Sequence, residues 1–183
     1  PRRSSDLPSD PYYLTLLETA ILSAVTKARD SAKDATLWAA AGTSDLPMSR
    51  RFKGKDGKIE FRPNPDGAVM RSLPVLMVKD SAEKPICLLF SVACHPSTVK
   101  GDERSYHISA DYPGAAMAKL DAWLGESVSL FLQGAGGDAK ASIIGKSEKE
   151  WRAGSWEDVD AAGALVADEV KALAAGRLEK IEP

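Results

Sequence analysis

Two polar segments of this sequence each follow directly after an apolar one, and this order limits the folds that the chain can adopt. Residues 94–98 (CHPST) follow the apolar stretch 86–93, and residues 133–138 (QGAGGD) follow the apolar stretch 128–132. The segment 108–114 (ISADYPG) between them has the aspartate and proline that are typical of a helix start. A strand, a helix and a second strand in this order form a crossover unit, which is almost always right-handed and parallel.

Both polar segments are therefore expected at the same edge of a β-sheet. The carboxyl ends of neighbouring parallel strands meet at one edge, where open α/β sheets hold their ligands. One of only two histidines, His95, falls at this position. The stretch 86–93 is apolar nearly throughout, as expected of a central strand, and the stretch 73–79 before it predicts a hairpin. The predicted fold is α/β, with a mixed sheet, a parallel crossover and helices on both faces.

The other segments complete a single predicted domain that spans residues 1–183. Asp10, which precedes a proline, opens a helix with one apolar face. Ser155 has an aspartate three residues later, which resembles the capping box of a long closing helix. The segment 43–67 is expected to be a long connection containing turns, and connections of this length are usually functional or mobile. The segment 139–154 is expected to be irregular.

Charge and hydropathy argue against a nucleic-acid partner and against a membrane-spanning segment. The formal net charge is −2, so a surface for nucleic acid is not expected. No apolar stretch is long enough to span a bilayer, so no transmembrane segment is expected. Cys87 and Cys94 lie on one predicted strand, too far apart for a disulfide, and they leave the cellular compartment undecided.

His95 is the first candidate for chemistry. Imidazole is a common metal ligand and a ready general base, and a buried histidine bonded to a backbone carbonyl is the alternative. A catalytic zinc needs about three protein ligands, and the sequence contains no His-x-His or His-Glu-x-x-His pattern. The residues alone therefore do not predict a complete metal site. His107 is expected on the surface, and Asp111 is expected to cap a helix rather than to act in catalysis.

The glycine-rich turn after the second strand is the other candidate. Gly134, Gly136 and Gly137 permit a close approach of ligand, and successive backbone N–H groups there could form an anion or oxyanion site. A tight structural turn is the alternative. The turn lacks the Gly-Lys-Ser/Thr ending of a phosphate-binding loop. Arg50, Arg51 and Arg62 in the long connection are either solvated or form a clamp for carboxylate or phosphate.

Taken together and in this order, these segments resemble the N-terminal catalytic domain of the neutral/alkaline non-lysosomal ceramidase family. The matching stretches are 89–98 (LFSVACHPST), 108–114 (ISADYPG) and 131–138 (FLQGAGGD), with a weaker match at 49–51 (SRR) and 63–65 (PNP). The resemblance covers most of the chain between about residues 6 and 175. Each motif is moderately specific, and the ordered set is more so.

The resemblance implies a function and a site. The family hydrolyses the amide of ceramide to sphingosine and a fatty acid with one zinc ion. It implies that His95 is a zinc ligand and that Asp138 orients water or a neighbouring ligand in catalysis. It also implies a lipid or N-acyl substrate and a secreted or periplasmic location. The residues implied to bind substrate are Arg51, Ser97, Gly134 and Gly137.

The family's other zinc ligands lie well upstream and well downstream of this stretch, so the chain is expected to be the middle part of a larger catalytic domain. Three positions depart from the family pattern: Ser49 replaces an asparagine, Lys140 a serine and Ala141 a proline. Lys140 and the zinc ligands that this stretch lacks favour a second hypothesis, a non-catalytic ceramidase-like binding or scaffold module. A third, weaker hypothesis is a phosphate- or nucleotide-binding protein that uses the glycine-rich turn.

Overall fold

The computed structural model of the chain describes residues 10–100, 107–147 and 150–181. The chain divides into two compact units, Pro1–Asp34 and Ala35–Pro183. The first contains helix α1 (Pro11–Asp30), and the carboxylate of Asp10 accepts hydrogen bonds from the N–H groups of Tyr12 and Tyr13 at its start. The predicted start of this helix is thus confirmed. The assignment of residues 1–183 to a single domain stays a prediction.

The second unit is a mixed α/β structure. Its helices are α2 (Asp111–Leu124) and α3 (Trp156–Gly176). Its strands are β1 (Ala35–Thr43), β2 (Pro47–Lys53), β3 (Ile59–Asn64), β4 (Ser72–Asp80), β5 (Pro85–Val92), β6 (Val128–Gln133), β7 (Ala139–Ala141), β8 (Gly145–Ser147), β9 (Glu150–Trp151) and β10 (Glu179–Lys180). A short 3-10 turn, Ser142–Ile144, lies between β7 and β8.

The main sheet has the strand order β10-β1-β4-β5-β6. Strands β5 and β6 are parallel and are joined through α2, whereas β4 and β5 form an antiparallel pair. The parallel crossover, the hairpin and the mixed α/β fold are therefore confirmed.

The core lies on one face of this sheet. Val75, Phe90 and Phe131 are adjacent across β4, β5 and β6, and the rings of Phe90 and Phe131 lie 5.5 Å apart. Leu120 of α2 and Val166 of α3 are fully buried in the same cluster. Both helices that the structure describes in this unit therefore cover the same face. In the described part of this unit, the predicted helices are found on that face of the sheet only.

The opposite face of the sheet is also apolar. Ala39, Leu76, Leu89 and Leu130 are adjacent in register across β1, β4, β5 and β6. At the β6 edge of this face Leu130 is 47% exposed. Among the described residues, no helix combines the length and hydropathy needed to cross a membrane.

The prediction of a long connection over residues 43–67 is wrong, because strands β2 and β3 form a hairpin there. These strands and β7 form a second sheet with the order β3-β2-β7. Two cation–π contacts across the hairpin replace apolar side chains: Arg62 lies 4.0 Å from the centroid of the Phe52 ring and Arg50 lies 5.3 Å from that of Phe61. Because these positions are arginines, the sequence does not show the alternation of apolar and polar residues that predicts strands.

The expected irregular segment 139–154 also contains strands in its described residues, namely β7, β8 and β9. The capping box at the start of α3 is confirmed, since Ser155 and Asp158 exchange hydrogen bonds in both directions. Asp158 also accepts two hydrogen bonds from the guanidinium of Arg152. These bonds to Arg152, reinforced by the bonds to Ser155, lower the pKa of Asp158 to about 2.

We expect the Asp158 carboxylate to make the stability of the protein depend on pH. Because its pKa is lower in the folded state, its contribution is fully present above the unfolded pKa near 4 and is lost as the pH falls through about 2. Asp158→Asn should therefore reduce the free energy of unfolding by roughly 2 kcal/mol at pH 6, and the difference from wild type should shrink as the pH falls towards 2 and vanish below it. Denaturant unfolding at several pH values measures this difference. The exposed Asp160 of the same helix supplies the control variant Asp160→Asn, and an equal loss in the two variants would contradict the assignment.

Candidate functional site

The carboxyl ends of β5 and β6 bring the two polar segments together. Val92, the last residue of β5, lies opposite Gln133, the last residue of β6. Beyond the strands the backbones stay in contact: the N–H of Gly134 donates to the carbonyl of Val92 at 3.1 Å, and the N–H of His95 donates to the carbonyl of Ala139 at 3.2 Å. The segments that carry His95 and Asp138 therefore leave the same edge of the sheet side by side.

The carbonyl of Cys94 is held by two donors at this edge. The hydroxyl of Tyr112 in α2 donates to it at 2.8 Å, and the side-chain amide of Gln133 donates to it at 3.2 Å. Tyr112 is fully buried, and its ring packs edge-on against Phe131 with centroids 5.9 Å apart. Burial raises the pKa of the Tyr112 hydroxyl and raises that of the Cys94 thiol to about 12. Both groups therefore remain protonated near neutral pH and serve as structural donors rather than as bases or nucleophiles.

Asp111 does not cap α2 as the sequence predicted. Ala110 occupies the cap position without a side-chain hydrogen bond, and Asp111 has a positive φ of 49°. Its carboxylate accepts hydrogen bonds from the backbone N–H and the hydroxyl of Thr98, at 2.8 and 2.6 Å, and from the N–H of Tyr112. Asp111 thus fastens the segment that carries His95 to the first turn of α2. This link joins residues 13 positions apart and has no local sequence signal.

The glycine-rich turn owes its composition to close backbone packing. A Cβ at Gly136 would lie 2.8 Å from the backbone nitrogen and carbonyl carbon of Cys94. The N–H of Gly136 already donates to the carbonyl of Gly134 at 2.7 Å. The N–H groups of Gly134 and Gly136 are therefore used within the protein, which favours the structural-turn interpretation at these two positions. Gly137 is exposed, and a Cβ there would contact no other atom.

Strand β2 brings Arg51 to this turn from a distant part of the sequence. Nε of Arg51 lies 2.7 Å from Oδ1 of Asp138, and the N–H of Arg50 donates to the carbonyl of Asp138 at 2.8 Å. The side chains of Arg51 and Asp138 are 51% and 67% exposed, so their ion pair contributes little to stability. An exposed pair of this kind is free to exchange one partner for a ligand. Asp138 also borders a shallow cavity of about 240 Å³ beside Met70.

Among the predicted site residues, the structure brings His95, Asp138, Arg51 and Gly134 to one edge. His95 is exposed, and Ser97, two residues further along, is half-buried. Gly137 lies in the same turn as Asp138. His107 is exposed, as expected from the sequence.

The zinc ion that the family resemblance implies would need about three ligands among these side chains. No group of three or more His, Cys, Asp or Glu side chains in residues 10–100, 107–147 and 150–181 is placed to hold a metal ion. The described residues therefore do not fit a complete zinc site.

A buried lysine, Lys140, lies near this edge with its ammonium close to the ring of Trp151, and the sequence analysis did not predict it. Lys140 lies on β7, directly after the glycine-rich turn, and only 9% of its surface is exposed. A lysine between two alanines on a short strand, in the sequence Ala-Lys-Ala, is a weak signal for a buried charge.

Comparison with solved structures supports the fold. The chain superposes on neutral ceramidase from Pseudomonas aeruginosa with a TM-score of 0.67 and 14% sequence identity, covering 89% of this chain and 26% of that one. A second structure, described as ceramidase complexed with C2, matches with a TM-score of 0.65 and 13% identity, covering 86% of this chain and 25% of that one. No family model and no curated protein matches the sequence significantly. The chain thus has a ceramidase-like fold and spans about a quarter of the length of these neighbours.

Two neighbouring glycines offer a matched test of the turn. We expect Gly136→Ala to lower the free energy of unfolding by about 1–3 kcal/mol, because its methyl group would meet the Cys94 backbone at 2.8 Å. Gly137→Ala should change stability by less than about 0.5 kcal/mol, since its Cβ faces open space. Denaturant unfolding of the two variants measures the difference. Equal stability of both variants would show that the turn does not pack against the Cys94 backbone as described.

Proposed function

We propose that this chain is part of the catalytic domain of a ceramidase-like hydrolase that cleaves the amide bond of an N-acyl lipid. The observation that carries the proposal is that the segment with His95 and the segment with the Arg51-paired Asp138 lie side by side at the carboxyl edge of a ceramidase-like sheet. Open α/β sheets hold their substrates at this edge. The two segments there correspond to the motifs on which the sequence resemblance rests.

Each polar residue at the edge has a proposed role that its surroundings allow. The carboxylate of Asp138 accepts a hydrogen bond from Arg51 and is 67% exposed, so it can orient a water molecule or a polar group of a substrate. Arg51 then positions the carboxylate and contacts the substrate with its remaining N–H groups. Ser97 and Gly137 lie on the two segments that flank these side chains and complete the proposed substrate-binding set.

A zinc ion belongs to the proposal only in part. We propose His95 as one zinc ligand in the complete enzyme, because its side chain is exposed and the residue lies just beyond the carboxyl end of β5. A catalytic zinc needs about three protein ligands, and the described residues supply no such group. The residues present do not fit the ion on their own, so no step of the reaction is derived through it.

A non-catalytic ceramidase-like module is the second candidate. Lys140 and Ala141, which depart from the family pattern, favour it, and so does the use of the Gly134 and Gly136 amides within the protein. Such a module would keep the sheet edge as a binding surface for an N-acyl lipid without hydrolysing it. The nucleotide-binding hypothesis has less support, because the same two amides are unavailable for phosphate.

We expect the natural full-length protein to contain zinc and to hydrolyse an N-acylsphingosine. His95→Ala should remove the metal and lower activity by more than about 100-fold, since even outer-shell changes at metal sites cost 10- to 100-fold. Metal analysis and release of fatty acid measure the two effects. Residues 1–183 alone should bind zinc weakly and show no activity.

The exposed His107 gives the control variant His107→Ala, which should retain metal and activity. Circular dichroism verifies that each variant is folded. An active His95→Ala protein would remove the central role of this residue. Binding of N-acylsphingosine by a full-length protein that has neither zinc nor activity would support the non-catalytic module instead.

A further inference from the structure

Lys140 is a buried lysine without an ion pair in the described part of the chain. Its relative exposure is 9%, and its ammonium lies 5.6 Å from the centroid of the Trp151 ring. A buried ammonium without a counter-charge is unfavourable. Burial, and after it repulsion by Lys100 and Arg50, lowers the pKa of Lys140, while attraction by Asp111 acts more weakly in the opposite direction. Among the described residues, positive charge therefore outweighs negative charge around Lys140.

The cleft beside Lys140 presents hydrogen-bond donors that have no acceptors. It encloses about 360 Å³, and Lys140, Lys100, Trp151 and Phe61 are among the residues that line it. Nε1 of Trp151 is buried and has no hydrogen-bond partner among the described residues. The same is true of Nε of Arg50, which does not line the cleft but whose guanidinium lies over the ring of Phe61. Ammonium, indole and guanidinium groups can only donate. A ligand that satisfies them must supply acceptor oxygens.

The charges around the cleft favour an anion over water or a neutral ligand. Arg152 also borders the cleft, but its guanidinium is already bound to Asp158. Glu150 contributes one exposed carboxylate at the border and has an interaction of its own. In the described part of the chain, the positive charges of Lys140, Lys100 and Arg50 therefore exceed the negative charges of Glu150 and Asp111 beside them. Water can accept from these donors, but only an anion can also neutralise this excess.

We propose that this cleft binds a small organic carboxylate. The carboxylate group lies between the ammonium of Lys140 and the indole N–H of Trp151, where it accepts charge-assisted hydrogen bonds. The apolar part of the ligand contacts the rings of Trp151 and Phe61, which favours an organic anion over inorganic phosphate. The site uses none of the residues assigned to the hydrolase, so it stands or falls independently of that assignment.

Isothermal titration calorimetry of the purified protein with benzoate tests the proposal. We expect saturable binding of benzoate, no binding of the neutral benzamide, and weaker binding of inorganic phosphate. Lys140→Met should weaken benzoate binding by about tenfold or more, because it removes a charge-assisted hydrogen bond. Trp151→Phe should also weaken binding, since it keeps an aromatic ring and removes the indole N–H. The exposed Lys119 of α2 gives the control variant Lys119→Met, which should bind like wild type.

The stability of the unliganded variant provides a second readout. If Lys140 has no internal counter-charge, Lys140→Met should be at least as stable as wild type without ligand, and benzoate should stabilise only the wild type. A marked loss of stability in Lys140→Met, with no benzoate binding by wild type, would show that the protein itself satisfies this charge and would overturn the proposal. Benzoate binding that survives both Lys140→Met and Trp151→Phe, or phosphate binding tighter than benzoate, would overturn it as well.

Discussion

The carbonyl of Cys94 is the point on which the proposed site depends. It accepts a hydrogen bond from Tyr112 of the crossover helix and another from Gln133 at the end of β6. A buried carbonyl left without partners would cost about 1–3 kcal/mol, so these bonds fix three elements relative to one another. His95 follows Cys94 directly, and the backbone of Gly136 packs against Cys94 at a distance that excludes a methyl group. The position of the site is therefore set by backbone packing at the strand ends.

A second set of contacts positions the side chains proposed to act in the site. The carboxylate of Asp111 holds Thr98, so the segment from His95 onward is fastened at both of its ends. The small sheet reaches the same edge through the hydrogen bond between Arg50 and Asp138, and it delivers Arg51 to the Asp138 carboxylate. The Cys94 carbonyl and Thr98 are hydrogen-bonded within the protein, whereas the side chains of Arg51 and Asp138 are exposed. This arrangement suits a site in which exposed side chains meet a large substrate.

The parts of the fold that could be predicted from sequence are those in which burial and chain order act together. The nearly continuous apolar stretch of β5 and the crossover through α2 define the parallel pair, and this pair places His95 near Asp138. The β2–β3 hairpin escaped prediction because arginine–aromatic stacking takes the place of apolar alternation in it.

The details of the site depended on contacts that no local pattern reveals. Asp111 has the sequence context of a helix cap, yet it binds Thr98 across the loop. Lys140 lies on a strand whose partner, β2, is about 90 residues away in sequence, so its burial follows from tertiary packing alone. The family resemblance supplied candidate roles for His95 and Arg51, and the structure supplied the contacts around them.

A crystal structure of the full-length protein with a non-hydrolysable N-acylsphingosine analogue is the most direct test of the site assignment. We expect the amide group of the analogue at the carboxyl ends of β5 and β6, within contact distance of His95 and of the Arg51–Asp138 pair. A ligand bound elsewhere, with these three side chains contacting only solvent, would contradict the proposal that this edge is the catalytic site.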